Sequence, residues 1–298
     1  MTLDNATCLT QWQDIRFWRD LCPHLTVTTD QPLANLPSGQ QHHPLRPDDW
    51  MRCKELIGVD GYFLYESWFR LKFIDRLADA FERLSEANLS PAFCFVYDEF
   101  WQLMRELDPL ISDLVGDYWL LPAVWAWHVN ANSQTAFPPH RDQVRQSAPD
   151  DEDHLDYLTI WIPLTDLDHL SSCMCVLPAS ADPDYDMGTN RVCVEDLQEI
   201  RCLQGPRGSV FCWTTGLVHW GTRQSELGQP RLSVGLCVQN PEAECFDPPP
   251  MDFERPLTLT QRLTLIGQQM INYSRDERPE MLELAELLVR LDPGRYRE

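Results

Sequence analysis

Apolar residues follow two rhythms along the chain. Trp12, Ile15, Phe17, Trp18 and Leu21 fall on one face of a short helix. Residues 31–47 form a polar, proline-rich connection, and 68–84 (WFRLKFIDRLADAFERL) carry apolar positions at 3/4 spacing, which predicts an amphipathic helix. A second helix is expected from about Tyr97 to Leu114, with Pro91 ahead of it and Gly116 behind it. Near Asp117 the rhythm changes. From there to about Asn240 the chain reads as short apolar runs between turn residues: YWLLPAVWAWHVN, YLTIWIPL, SCMCVLP, IRCLQ, GSVFCWT and RLSVGLCVQ. That pattern predicts antiparallel strands. An acidic loop at 143–156 and a long loop at 178–196 interrupt them. After Pro248-Pro249-Pro250 helices return, at about 258–273 and 279–291. No internal repeat is visible. The expectation is one domain over 1–298: a mostly helical part (1–116), a β core (117–240) and C-terminal helices (241–298). The fold class is mainly β with flanking helices, a barrel or jelly roll in a helical jacket.

Composition narrows the function classes. The 298 residues hold 24 Lys plus Arg against 46 Asp plus Glu, a net charge of −22. Such a field opposes contact with nucleic acid or anionic lipid, so neither is expected as a partner. No apolar run approaches the length of a membrane span, and the first residues lack a signal-peptide pattern, so a cytoplasmic location is the default expectation. The 11 cysteines contain no C-x-x-C pair. Cys173, Cys175, Cys212 and Cys237 sit in strand-like runs and are expected as buried, reduced thiols.

The candidate chemistry lies in histidines. In FPPHRD, His140 and Asp142 share a face if the segment is extended, because side chains repeat every two residues on a strand. His219, in GLVHWG, adds a second imidazole from far along the chain. Two imidazoles and one carboxylate leave three positions of an octahedral metal open, the donor set of non-haem Fe(II) oxygenases. The dipeptide spacing alone is weak: with eight histidines and 46 acidic residues, chance supplies roughly one H-x-D/E. The chain has a second, His154…Asp156, inside the acidic run DDEDHLDY. That context suits an open, hydrated loop, and only four residues separate Asp156 from Trp161, too few for a loop and a strand. His128 has Asn130 at +2, which supplies no anionic ligand. His24, His42, His43 and His169 lie in polar contexts and are expected at the surface. Twelve residues beyond His219 stands Arg231, followed by Ser233 on the same strand face. A guanidinium fork with a hydroxyl beside it suits the far carboxylate of a dicarboxylate that chelates the metal at its other end.

These pieces carry a family likeness. HRD at 140–142, LTIWIPLTD with Trp161, SSCMCVLPAS at 171–180, RGSVFCWTTGLVHWG ending on His219, and PRLS at 230–233 together resemble the phytanoyl-CoA dioxygenase family of Fe(II)/2-oxoglutarate oxygenases. The resemblance spans about Trp125 to Val238. It implies a double-stranded β-helix, a cupin-like jelly roll. It implies His140, Asp142 and His219 as iron ligands, with Arg231 on the distal 2-oxoglutarate carboxylate and Ser233 assisting. Trp161 would line the co-substrate pocket, with a further contact from Trp127. A family lysine that helps bind 2-oxoglutarate has no clear match. The implied cofactors are Fe(II) and 2-oxoglutarate as co-substrate, with ascorbate as a stimulant. The implied partners are dioxygen and a small-molecule substrate. Related halogenases lack the carboxylate ligand, so Asp142 favours hydroxylation of an aliphatic C–H with release of succinate and CO2. Two alternatives remain open at this point: a non-catalytic β-sandwich binding protein that retains the metal, and the same chemistry on a CoA thioester. Arg141 and Arg145 beside the motif either bind a substrate carboxylate or offset the acidic run.

Overall fold

The computed structural model describes residues 5–131, 137–142, 155–187, 189–243, 251, 255 and 257–292. Its helices are α1 (Asn5–Trp12), α2 (Ile15–Leu21), α3 (Pro47–Asp60), α4 (Leu71–Glu86), α5 (Asp98–Val115), α6 (Leu259–Asn272) and α7 (Pro279–Val289). The strands are β1 (Tyr62–Tyr65), β2 (Trp119–Leu120), β3 (Trp125–Val129), β4 (Tyr157–Pro163), β5 (Met174–Leu177), β6 (Arg201–Leu203), β7 (Val210–Trp213), β8 (Val218–Gly221) and β9 (Arg231–Gln239).

Local chemistry explains the boundaries. The helix expected across Trp12 to Leu21 is broken in two, because the Asp14 side chain accepts from the Arg16 backbone N–H and starts a new helix. The sequence reading passed over α3. It opens on Pro47 with Asp48 and Asp49 in its first turn, and it ends at Gly61, whose φ of 76° is left-handed. A Thr258–Gln261 capping box opens α6. The first long apolar run becomes two strands, β2 and β3, around Pro122. Between the pairs Leu120↔Val238 and Trp125↔Gly235, residues 121–124 oppose only two residues of β9. A proline without an N–H suits such a bulge.

The larger sheet has the order β1-β7-β4-β9-β2, with β3 also paired to β9, and the smaller is β6-β5-β8; all pairings are antiparallel. This is the double-stranded β-helix with flanking helices. β1 comes from the segment read as helical, and it completes the larger sheet beside β7.

Period-two alternation divides the buried residues into two cores. Ile160, Ile162, Val234, Leu236, Val238, Val210, Cys212 and Phe63 face the helices. They join one cluster with Phe73, Leu77 and Phe81 of α4, Phe100, Leu103 and Leu107 of α5, and Leu263 of α6. Trp161, Phe211, Trp213, Met174, Val176, Leu203 and Leu217 form the second cluster, between the sheets. Trp12, Trp18, Trp68 and Trp101 are core residues, as expected, while Trp119 is half-buried. The C-terminal helices are tied in by Arg262, which is 1 % exposed. It donates to the carbonyls of Thr28, Val96 and Leu257 and to the Asp98 carboxylate at 2.7 Å.

Candidate metal centre

The segment carrying His140 and Asp142 lies against β8 through a backbone bridge. The His140 N–H donates to the His219 carbonyl at 3.1 Å, and the His219 N–H returns the bond at 2.9 Å. That pairing brings the two imidazoles to 4.2 Å between centroids. One potential ligand atom from each of His140, Asp142 and His219 lies within 4.8 Å of the others. Each ring is oriented from behind. His140 Nδ1 lies 2.9 Å from the Pro138 carbonyl and His219 Nδ1 3.1 Å from the Leu217 carbonyl. A carbonyl only accepts, so Nδ1 carries the proton in each neutral ring and Nε2 keeps its lone pair for a metal. Asp142 Oδ1 stands 3.6 Å from His140 Nε2 and 3.5 Å from His219 Nε2. Its other oxygen, Oδ2, accepts from Thr159 Oγ1 at 2.8 Å and Trp213 Nε1 at 2.9 Å.

Charge follows this geometry. Burial lowers the affinity of the His219 ring for a proton, and this outweighs the attraction of Asp142. Burial alone would raise the Asp142 pKa, but His219, His140 and the Trp213 N–H together hold it well below the usual carboxylate range. Asp142 is thus held as the anion and burial favours the neutral His219 ring, the states in which these two groups bind a divalent metal. Of the rival pair, His154 lies outside the described residues. Asp156 sits at the start of β4, where its carbonyl accepts from the Asn240 N–H, and it is not part of the cluster.

Arg141 corrects the sequence reading. Its side chain is buried and ion-paired to Asp182 at 2.7 Å, and it donates to the carbonyls of Gly216 and Arg191. Its guanidinium is therefore engaged with Asp182 and these carbonyls rather than with a substrate; Arg145 and residues 150–154 of the acidic run lie outside the described residues. His24 and His42 are partly buried rather than at the surface. His42 stacks on Trp68 at 4.4 Å, while His43 and His169 are exposed. Cys173, Cys175 and Cys212 are buried free thiols, as expected, and Cys237 is partly buried. Burial pushes the Cys237 thiol up to about 12, with the Asp142 charge adding to the shift.

The triad opens into a cavity between the sheets. Its walls include Trp125, Trp127, Phe137, Thr159, Trp161, Met174, Trp213, Gly221, Arg231, Gly235, Cys237 and Tyr273. Of the residues expected at the co-substrate, Arg231, Trp161 and Trp127 line the same cavity as the triad, and Ser233 is not among its lining residues. The Arg231 guanidinium lies 5.5 Å from the Trp161 ring centroid. Ser233 shares the strand face of Arg231 and Gly235 and is fully buried. The Trp161 Nε1 and the Ser233 Oγ are buried and have no hydrogen-bond partner among the described residues. Two glycines make the room. A Cβ at Gly235 would stand 2.8 Å from the Trp127 ring, and one at Gly221 3.4 Å from Arg231 Nη1. Gly235 therefore lets the Trp127 indole lie across the sheet, and Gly221 leaves space at the guanidinium.

No family model matches the sequence, and no curated protein matches it. Solved structures do. A non-haem monooxygenase, the ThoJ–nickel complex, is similar with TM-score 0.53 at 11 % identity, over 74 % of this chain and 97 % of that one. The non-haem α-ketoglutarate-dependent epimerase SnoN from nogalamycin biosynthesis gives TM-score 0.51 at 17 % identity, over 72 % and 96 %. HygX from Streptomyces hygroscopicus, with nickel and 2-oxoglutarate bound, gives 0.51 at 14 % identity, over 66 % and 89 %. The chain shares its fold with these three enzymes. Within this fold, sequence reasoning missed Thr159, Trp213, Gly221, Gly235 and Tyr273. Thr159 had a signal available, because it lies two residues before Trp161 and so on the same strand face. Tyr273 had none, since its approach to Trp125, at 4.5 Å between rings, depends on where α6 ends.

Proposed function

We propose that the chain is an Fe(II)/2-oxoglutarate-dependent dioxygenase of the phytanoyl-CoA dioxygenase family. It hydroxylates an aliphatic C–H of a small molecule and releases succinate and CO2. In this reading His140, Asp142 and His219 hold the iron. Arg231, assisted by Ser233, holds the distal carboxylate of 2-oxoglutarate, and Trp161 and Trp127 line its pocket. The observation that carries the reading is the buried Trp161 Nε1, without a partner among the described residues, on the wall of a cavity that the triad and Arg231 also line. A buried donor left unmade costs about 1–3 kcal/mol, so a site that keeps one is built for an acceptor. Bound iron, with co-substrate and dioxygen, supplies the oxidising power. The chain supplies orientation: imidazoles locked by carbonyls, a carboxylate held through one oxygen, and an arginine set at a distance from the metal.

SnoN is an epimerase and ThoJ a monooxygenase, so the fold accommodates several outcomes. Asp142 supports hydroxylation here, because it occupies the position that halogenases leave to halide. The mostly apolar cavity walls and the net charge of −22 favour a small, weakly charged substrate over a CoA thioester. The whole chain acts as one oxygenase domain. Ten described cysteines are free, which suits the reducing cytoplasm, and no described helix is long and apolar enough to cross a membrane.

Anaerobic protein with Fe(II) and 2-oxoglutarate should develop a weak visible charge-transfer band, and air should then release succinate. Protein that binds Fe(II) but shows neither signal defeats this reading. Arg231→Ala should raise the KM for 2-oxoglutarate about 30-fold, the equivalent of about 2 kcal/mol for a partly desolvated charged pair, and change the substrate KM far less. An unchanged KM for 2-oxoglutarate would place the anchor elsewhere.

A further inference from the structure

Asp142 is held by two donors that come from adjacent strands at one level of the sheet. Thr159 on β4 and Trp213 on β7 are directly opposite each other in the antiparallel register. Both give their hydrogen bond to the same oxygen, Oδ2. Neither donor is free to wander. Thr159 is 7 % exposed and β-branched, with few rotamers open to it. Trp213 is 3 % exposed, belongs to the inter-sheet core and lies with its ring 4.7 Å from the His219 ring. One indole therefore bears on two members of the triad.

We propose that Thr159 and Trp213 are positioning residues for the metal: by engaging Oδ2 together they leave Oδ1 as the single oxygen that Asp142 presents. This rests on the metal-centre reading above and extends it to residues that do not touch the ion. A carboxylate that rotates freely can chelate through both oxygens and fill a position the co-substrate needs. With Oδ2 engaged twice, Asp142 would offer a bound metal only Oδ1, leaving room for the co-substrate beside the two imidazoles. The sheet register, rather than the loop that carries Asp142, sets the orientation of the carboxylate.

The test uses the full chain and Mn(II), with free Mn(II) read by its electron paramagnetic resonance signal. Thr159→Val keeps the shape and removes the donor; Thr159→Ser keeps the donor; Trp213→Phe removes the indole N–H. Loss of a hydrogen bond that orients a ligand typically costs 10- to 100-fold in metal affinity. Thr159→Val and Trp213→Phe should each weaken Mn(II) binding about tenfold, and the pair about 100-fold. Thr159→Ser should stay within about threefold of wild type, and metal-free Thr159→Val should melt with the wild type. The visible absorption of the Co(II)-loaded double variant should shift as the carboxylate changes its mode of binding. Wild-type affinity in both single variants overturns the proposal, as does a Thr159→Ser variant as weak as Thr159→Val. Failure of the metal-centre reading looks different: the wild type itself would not bind Mn(II), and this proposal would fall with it.

Discussion

Asp142→Ala is expected to abolish tight Fe(II) binding and all 2-oxoglutarate turnover, while Asp156→Ala leaves both close to wild type. Asp142 is the only anion of the triad, and Oδ1 is the atom that faces both Nε2 atoms. Its loss leaves two neutral nitrogens to hold a dication in a partly buried site, and it strands the Thr159 hydroxyl and the Trp213 N–H without their acceptor. Asp156 has no such place. Its backbone pairs with Asn240 at the edge of β4, and substitutions away from cores and sites usually cost less than about 0.5 kcal/mol. Iron content after dialysis, Fe(II) titration and succinate release measure the contrast. A dead Asp156→Ala, or an Asp142→Ala with wild-type iron affinity and rate, would overturn the assignment of the centre.

Arg262→Met should lower global stability by about 3–5 kcal/mol, because it breaks a buried ion pair from one side. The guanidinium is the donor for three carbonyls, those of Thr28, Val96 and Leu257, as well as for Asp98. Asp98 would remain buried with only the Thr28 N–H and hydroxyl to hold its charge. Removing both charges, in Arg262→Met with Asp98→Asn, should recover part of the loss, since a neutral pair leaves no unpaired ion behind. Urea denaturation at constant pH gives the difference. A loss below about 1 kcal/mol in the single variant would mean that packing, not the ion pair, holds α6 in place.

Much of this architecture was legible because its signals are local. The 3/4 spacing that marks α4 is a property of one segment, and α4 appears three residues later than expected at its start. The run RLSVGLCVQ became β9 without change. The triad was legible for a different reason: an extended segment would put His140 and Asp142 on one face, and although the structure forms only an isolated bridge there, at His140, both side chains reach the site with His219. Arg141 shows the limit. The same alternation that turns His140 and Asp142 toward the cavity turns Arg141 away from it, but only the fold supplies Asp182 and the Gly216 carbonyl as its partners. β1 was missed because the first third reads as mostly helical and four apolar residues are too short a run to show an alternation of their own; the left-handed Gly61 ahead of them was the available sign. Thr159 and Trp213 meet Asp142 through a register that no single segment encodes.

The pairing of β1 with β7 bears on how the molecule is made. Tyr62 finds Trp213 about 150 residues later, so this edge of the sheet stays open until most of the chain has emerged. Contacts of such sequence separation demand loop closure before they return any free energy, and they slow folding. Until β7 arrives, Phe63 and Tyr65 have helices to pack on but no strand to pair with. The same event that gives β1 its neighbour also delivers Trp213 to the strand beside Thr159. Both pairings of β7, with β1 and with β4, wait on the same strand, and a nascent chain that has not yet reached Trp213 lacks the indole that the cradle around Asp142 needs.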